Sequence, residues 1–198
     1  MEIFIIILVC YLIGSIPTAY LAGKIFQKKD IRKFGSGNVG TTNAFRVLGK
    51  KLGILTLIID IGKGFLPVFI IKHYFNNNIN YQLISGFSLV IGHIFTLFLK
   101  FKGGKGVATS AGFLLALTPL QTSFTIVLFI ICLLTSKYVS LSSIIASISY
   151  PIFIFILGGD NKIKIISILL AILITLKHKS NIIRLINGNE NSISKKEK

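Results

Sequence analysis

Apolar residues come in long unbroken runs along this chain, without the alternation of a half-buried strand. Seven segments stand out, at residues 3–23, 53–71, 81–99, 107–118, 120–135, 138–157 and 163–176. Stretches such as IFIIILVCYLI and IISILLAILITL carry no charge at all. About 20 consecutive apolar residues match the ~30 Å hydrocarbon core of a bilayer. A backbone in lipid must satisfy its own hydrogen bonds, which helices and closed barrels do. Membrane strands would show a period of two, and these runs have none. The pattern therefore predicts an all-α fold, a polytopic membrane helical bundle with about seven transmembrane helices. The fourth and fifth segments are short and meet at Thr118-Pro119, so a tilted hairpin with five or six full crossings is the alternative there.

Composition agrees: 53% of the 198 residues are hydrophobic and 14% charged, with a formal net charge of +16. That charge is placed unevenly. Lys24, Lys28, Lys29, Arg32, Lys33, Arg46, Lys50 and Lys51 follow the first segment, Lys100, Lys102 and Lys105 the third, and Lys137 the fifth. Lys177, Lys179, Arg184, Lys195, Lys196 and Lys198 follow the last. The alternate loops hold only Lys72, Lys162 and Lys164, and Lys63 falls inside a segment. Positive charge collects on the cytoplasmic side of membrane proteins, so the N-terminus is expected outside and the C-terminus in the cytoplasm. Topology accounts for the basic face, and no nucleic-acid partner is called for. Residues 1–190 read as a single integral-membrane domain and 191–198 as a short basic cytoplasmic tail. Glu2 stands where a cleaved signal would be basic. Cys10 and Cys132 both sit in apolar runs and read as small buried side chains.

The positive-inside rule does not ask for glycines, serines or asparagines, and these mark three polar stretches. The first is FGSGNVGTTNAFRVLGKKLG, from Phe34 to Gly53. Its G-x-G-x-x-G would suggest a dinucleotide loop, but no strand precedes Gly35 and Asp60 falls in an apolar helix. It reads instead as a glycine-rich turn whose N–H groups around Ser36, Gly37 and Asn38 can cup an anion. Arg46 offers a planar fork for two phosphate oxygens. The second stretch, LKFKGGKGVATSAG, runs from Leu99 to Gly112. Gly103, Gly104 and Gly106 let backbone approach a ligand closely. Lys105 lies just ahead of a helix expected to begin at Val107, whose N-terminus favours anions.

The third stretch is LKHKSNIIRLINGNE, from Leu176 to Glu190. His178, Asn181, Arg184 and Asn187 recur every three residues and are expected on one helical face. A neutral imidazole there can accept a proton. Upstream, Ser140, Ser142 and Ser143 of KYVSLSSII return to the same membrane edge, to contact a ligand or to bond a neighbouring helix. Asp60 and Lys63 lie mid-segment, where each alone costs roughly 2.5–3.5 kcal/mol on insertion scales, so they are expected to pair and face the bundle. His93 either bonds between helices or edges the site. No metal cluster is visible, since histidines and carboxylates are few and scattered.

Taken together, the three stretches resemble the bacterial acyl-phosphate:glycerol-3-phosphate acyltransferase family. GSGNVGTTNAFRVLG matches its first motif, GHIFTLFLKFKGGKGVAT its second, and SLSS with HKSNIIRLINGNE its third. The resemblance runs in order from about Gly14 to Glu190. It implies transfer of a fatty acyl group from acyl phosphate to the 1-hydroxyl of glycerol 3-phosphate, in the bacterial cytoplasmic membrane with the active site on the cytoplasmic face. Lysophosphatidic acid and phosphate leave. Ser36 and Arg46 carry over as required residues, the glycines around Lys105 as the glycerol-phosphate loop, and His178 and Asn181 as active-site residues. Ser143 and Arg184 are further candidates for binding substrate, and Glu190 is the structural carboxylate, alongside Asp60 and Lys63. No cofactor is implied. The partners are acyl phosphate, glycerol 3-phosphate and membrane lipid, with a soluble acyl-phosphate-forming enzyme as a candidate. His178 could take the hydroxyl proton, or a substrate phosphate could do so while His178 and Asn181 orient. The rival reading is a transporter or flippase for a phosphorylated lipid, which needs polar groups on both faces, whereas these motifs collect on one.

Overall fold

Most apolar runs fold as helices, and two further helices form in the polar stretches between or after them. The computed structural model describes residues 1–193, so Lys195, Lys196 and Lys198 of the basic tail lie outside the described residues. The helices are α1 (Glu2–Ser15), α2 (Thr18–Gln27), α3 (Thr41–Leu48), α4 (Lys50–Tyr74), α5 (Ile79–Ile94), α6 (Val107–Leu117), α7 (Pro119–Ser136), α8 (Val139–Leu157), α9 (Asn161–Lys177) and α10 (Lys179–Ile186). Short 3-10 turns at Ile31–Lys33 and Leu97–Leu99 complete the regular structure among the described residues. The chain divides into two compact units, Met1–Leu117 and the part from Thr118 onward.

Burial is inverted relative to a water-soluble protein. Asp60, Thr109 and Ser142 are 1%, 0% and 0% exposed, while Ile58, Ile70 and Leu134 are 62%, 62% and 60% exposed. Large contiguous apolar surfaces on a protein need an apolar partner, and a bilayer supplies it. Among the described residues four helices are long and apolar enough to cross one: α4, α5 with its 3-10 extension, α7 and α8. The bent pairs α1–α2 and α9–α10 raise that number to six. Helix α6 has 11 residues and so runs only ~16 Å at 1.5 Å per residue.

One expected segment is broken instead of straight, and the last one bends just past its expected end. The first bends by 41° between α1 and α2, because Pro17 has no N–H to continue the ladder and its ring clashes with the turn before it. The last bends by 59° between α9 and α10, with His178 as the residue at the bend.

In the first unit α1 packs against α5, and α4 against α3, α5 and α6. The α4–α6 crossing is backbone to backbone: a Cβ on Gly64 would strike the Thr109 carbonyl, and one on Gly112 the Ile61 carbonyl. Small residues of this kind let membrane helices approach closely. In the second unit α8 packs against α7, α9 and α10. Thr118 and Tyr150 share a buried 2.6 Å hydrogen bond there, tying the start of α7 to α8.

Candidate active site

The first glycine-rich loop lies between the Ile31–Lys33 turn and α3. Beneath it Ile31, Val39, Ala44 and Leu48 join Ala19 and Ala22 of α2 and Leu99 in one buried apolar cluster. Burying side chains such as Ile31 and Leu48 stabilises by about 1.5–3 kcal/mol each. Because Leu99 belongs to the same cluster, the entry to the second glycine-rich loop is anchored on the core of the first. Asp30 caps the 3-10 turn through the Arg32 N–H at 3.1 Å and receives the Arg32 guanidinium at 2.9 and 2.7 Å. That guanidinium holds the Asp30 carboxyl well below the usual carboxylate range.

Gly35 and Gly37 have φ of +57° and +71°, the left-handed region that glycine tolerates best. The turn they make leaves Ser36 exposed. One side chain that the sequence reading did not single out braces it. Asn43, 1% exposed, donates through Nδ2 to the Ile31 and Phe34 carbonyls at 3.3 and 3.2 Å and accepts the Ser36 N–H on Oδ1 at 2.9 Å. The sequence carried no local mark of this role, because only the fold shows Asn43 to be buried beneath the loop. Asn43→Ala leaves three backbone groups without that partner. At about 1 kcal/mol for each net hydrogen bond, stability should fall by about 2–3 kcal/mol, read as a lower unfolding midpoint in detergent. Arg46 is half-buried on α3, in the turn beyond Asn43.

The second loop lies between Leu97–Leu99 and α6. Its first half is stitched to the end of α5: the Gly103 N–H donates to the Ile94 carbonyl at 3.1 Å and the Gly104 N–H to the His93 carbonyl at 3.0 Å. Gly106, at φ +83°, then turns the chain into α6. Lys105 is half-buried between these fixed points.

A buried carboxylate joins the elements of this unit. Asp60 Oδ1 receives the Thr18 hydroxyl at 2.8 Å and pairs with Lys63 Nζ at 2.8 Å, and Oδ2 lies 3.5 Å from the Thr41 hydroxyl. Lys63 also donates to the Ile16 carbonyl at 2.9 Å. His93 Nδ1 is 3.8 Å from Asp60 Oδ1 and shares a 3.2 Å hydrogen bond with Thr109 Oγ1. The expected pairing of Asp60 with Lys63 is present, and His93 does bond between helices. Thr41 opens α3 after the first loop and reaches this carboxylate, while Thr109 lies in the first turn of α6 after the second and reaches the histidine beside it.

In the second unit a different carboxylate gathers the third motif. Glu190, 9% exposed, accepts Ser140 Oγ at 3.0 Å and Asn181 Nδ2 at 2.8 Å on Oε1, and Arg184 Nε at 2.8 Å on Oε2. The Ile193 N–H bonds the Lys137 carbonyl at 3.0 Å and holds the end of this segment. Ser142 and Ser143 hydroxyls donate to the carbonyls of Tyr138 and Val139, one turn back in their own helix. His178, 2% exposed, sits 2.8 Å from the Ile174 carbonyl through Nδ1. A carbonyl only accepts, so Nδ1 carries the hydrogen. Of the residues expected on one helical face, Asn181 and Arg184 lie on α10 with His178 and Asn187 at its two caps, and Asn187 is exposed.

Comparison with known proteins decides what this arrangement belongs to. The chain matches the family model of glycerol-3-phosphate acyltransferase over residues 4–188. The chain belongs to the glycerol-3-phosphate acyltransferase family. It is 47% identical over 194 residues to the glycerol-3-phosphate acyltransferase of Macrococcus caseolyticus, covering 98% of each chain. It is similar to the crystal structure of PlsY (YgiH), an integral membrane glycerol 3-phosphate acyltransferase, in its glycerol 3-phosphate form. The TM-score is 0.93 at 36% identity, over 98% of this chain and 96% of that one. For the lysophosphatidic acid form the TM-score is 0.87 at 36% identity, over 97% and 95%. This acyltransferase is thus an integral membrane enzyme, and the flippase reading is set aside.

Proposed function

We propose that this acyltransferase takes its acyl group from an acyl phosphate and places it on the 1-hydroxyl of glycerol 3-phosphate. The observation that carries this reading is a pair of glycine-rich loops in one unit, each leading straight into a helix N-terminus. Each loop has a cation on its own stretch of chain, Lys105 within the second and Arg46 on the helix that follows the first. Both substrates carry phosphate, and helix N-termini with exposed N–H groups favour anions. In this reading Lys105 binds the glycerol-phosphate group, with Gly103, Gly104 and Gly106 giving it close room at the backbone, and Arg46 binds the acyl phosphate with the Ser36 hydroxyl and Asn38 beside Gly37. Ser143 and Arg184 add polar contacts, and Asp60, Lys63 and Glu190 hold the elements in place.

The chemistry asks for no covalent enzyme intermediate. The hydroxyl oxygen attacks the acyl carbonyl carbon, the carbon–oxygen bond to phosphate breaks, and inorganic phosphate leaves with the electron pair. Because acyl phosphate is a mixed anhydride, positioning the two reactants supplies much of the acceleration, and cations and N–H groups stabilise the developing oxyanion. His178 and Asn181 orient the hydroxyl, and a substrate phosphate oxygen takes its proton. The basic loops favour a cytoplasmic active face, an outside N-terminus and seven crossings, with α6 the short one, in a bacterial cell membrane. A soluble enzyme that makes acyl phosphate would meet that face.

Purified protein given acyl phosphate and glycerol 3-phosphate should yield lysophosphatidic acid and inorganic phosphate one to one. Product from acyl-CoA and none from acyl phosphate would overturn the donor assignment. Lys105→Ala should raise KM for glycerol 3-phosphate by about tenfold, the loss of one charge-assisted hydrogen bond. An unchanged KM would move the phosphate cradle elsewhere.

A further inference from the structure

We propose that His93 is a positioning residue for the second glycine-rich loop, acting with Thr109 to fix where Lys105 stands. This rests on the reading that the loop holds the glycerol-phosphate group. The His93 carbonyl accepts the Gly104 N–H at 3.0 Å, so the residue grips the loop through its backbone. Its side chain grips it again. The imidazole lies so close over Gly104 that a Cβ there would collide with Nε2. The opposite ring nitrogen, Nδ1, shares its 3.2 Å hydrogen bond with Thr109 in the first turn of α6. One ring therefore spans the loop from Gly104 to Thr109, with Lys105 and Gly106 between the two contacts.

Nothing in this arrangement is loose. His93 and Thr109 are 8% and 0% exposed, and Asp60 lies 3.8 Å behind the ring nitrogen. A residue there only to fill space would be apolar, because a buried imidazole without partners costs stability. The ring instead has a hydrogen-bonding partner at one end and a glycine cut to its shape at the other. Gly104 is accordingly required for more than backbone approach to a ligand. An alanine there displaces the ring from Thr109 and releases the start of α6.

The test uses the full chain in detergent, with KM for each substrate, kcat and the unfolding midpoint measured for His93→Ala, His93→Gln, Thr109→Val and Lys105→Ala. His93→Ala and Thr109→Val should each raise KM for glycerol 3-phosphate by about tenfold, the scale of one buried hydrogen bond. KM for acyl phosphate and kcat should stay within about twofold. Glutamine, which keeps a hydrogen-bonding group at that reach, should recover most of the loss. The His93→Ala/Thr109→Val double variant should be no worse than either single one, as expected for residues acting as a unit.

An unchanged glycerol 3-phosphate KM in Thr109→Val, or equal changes in both substrates' KM values, overturns the proposal. Thr109→Val alone decides if His93→Ala does not fold. If Lys105→Ala raises KM while the His93 and Thr109 variants do not, only the positioning role fails. If Lys105→Ala leaves KM unchanged, the cradle reading fails and this one with it.

Discussion

Replacing His178 with alanine should lower kcat by about 100-fold, the lower end of what a residue at the reacting proton contributes. KM for either substrate should change much less. The geometry gives the reason. Nδ1 is committed to the Ile174 carbonyl at 2.8 Å, in a side chain that is 2% exposed. The ring is thereby held in one orientation with a hydrogen on Nδ1, so Nε2 is the nitrogen able to act on a hydroxyl. Such a nitrogen can orient a hydroxyl or remove its proton, and His178→Gln separates the two. Glutamine offers a donor and an acceptor but cannot take up a proton. If orientation is the role, glutamine should restore kcat to within about tenfold of the parent, a residual cost near 1.4 kcal/mol. If glutamine is as slow as alanine, His178 is the base. Near-normal rates of His178→Ala at saturating substrate would remove it from both roles.

The spans were legible because hydrophobicity alone specifies them. Segment 138–157 became α8 (Val139–Leu157), and segment 120–135 became α7 (Pro119–Ser136), each within a residue or two. The bends at Pro17 and His178 were less legible. A run of apolar residues looks the same whether its helix is straight or broken, and Pro17 was the only local mark of the first bend. In the site, the glycine-rich loops announced themselves by residues that membrane topology does not require. Their supports did not. Thr18, Thr41 and Thr109 are ordinary helix residues in the sequence, and only the fold brings the first two to Asp60 and the third to His93. Asn43 was hidden for the same reason, since its three loop partners lie seven to twelve residues back along the chain. Glu190, by contrast, bonds within its own motif to Asn181 and Arg184, and the family resemblance marked it as the structural carboxylate.

The second large effect is on stability, at Asp60. Asp60→Ala should destabilise the protein by about 3–5 kcal/mol, the cost of breaking a buried ion pair from one side. Lys63 would keep only the Ile16 carbonyl at 2.9 Å for an ammonium whose side chain is 5% exposed. The hydroxyls of Thr18 and Thr41 would lose their acceptor in the same step. Most of that cost is the charge left behind and little is the attraction lost, so removing both charges should be far milder than removing one. Asp60→Leu with Lys63→Met should unfold in detergent close to the parent temperature, well above either single variant. If the double variant is as unstable as Asp60→Ala, the loss lies in Thr18 and Thr41, and the carboxylate matters as a hydrogen-bond hub and not as a counter-ion. Either result leaves a separate question that activity answers. The double variant lacks the carboxylate that lies behind the His93 ring and beside Thr41, so a stable protein with a raised KM for glycerol 3-phosphate would show that Asp60 shapes the loops as well as neutralising Lys63.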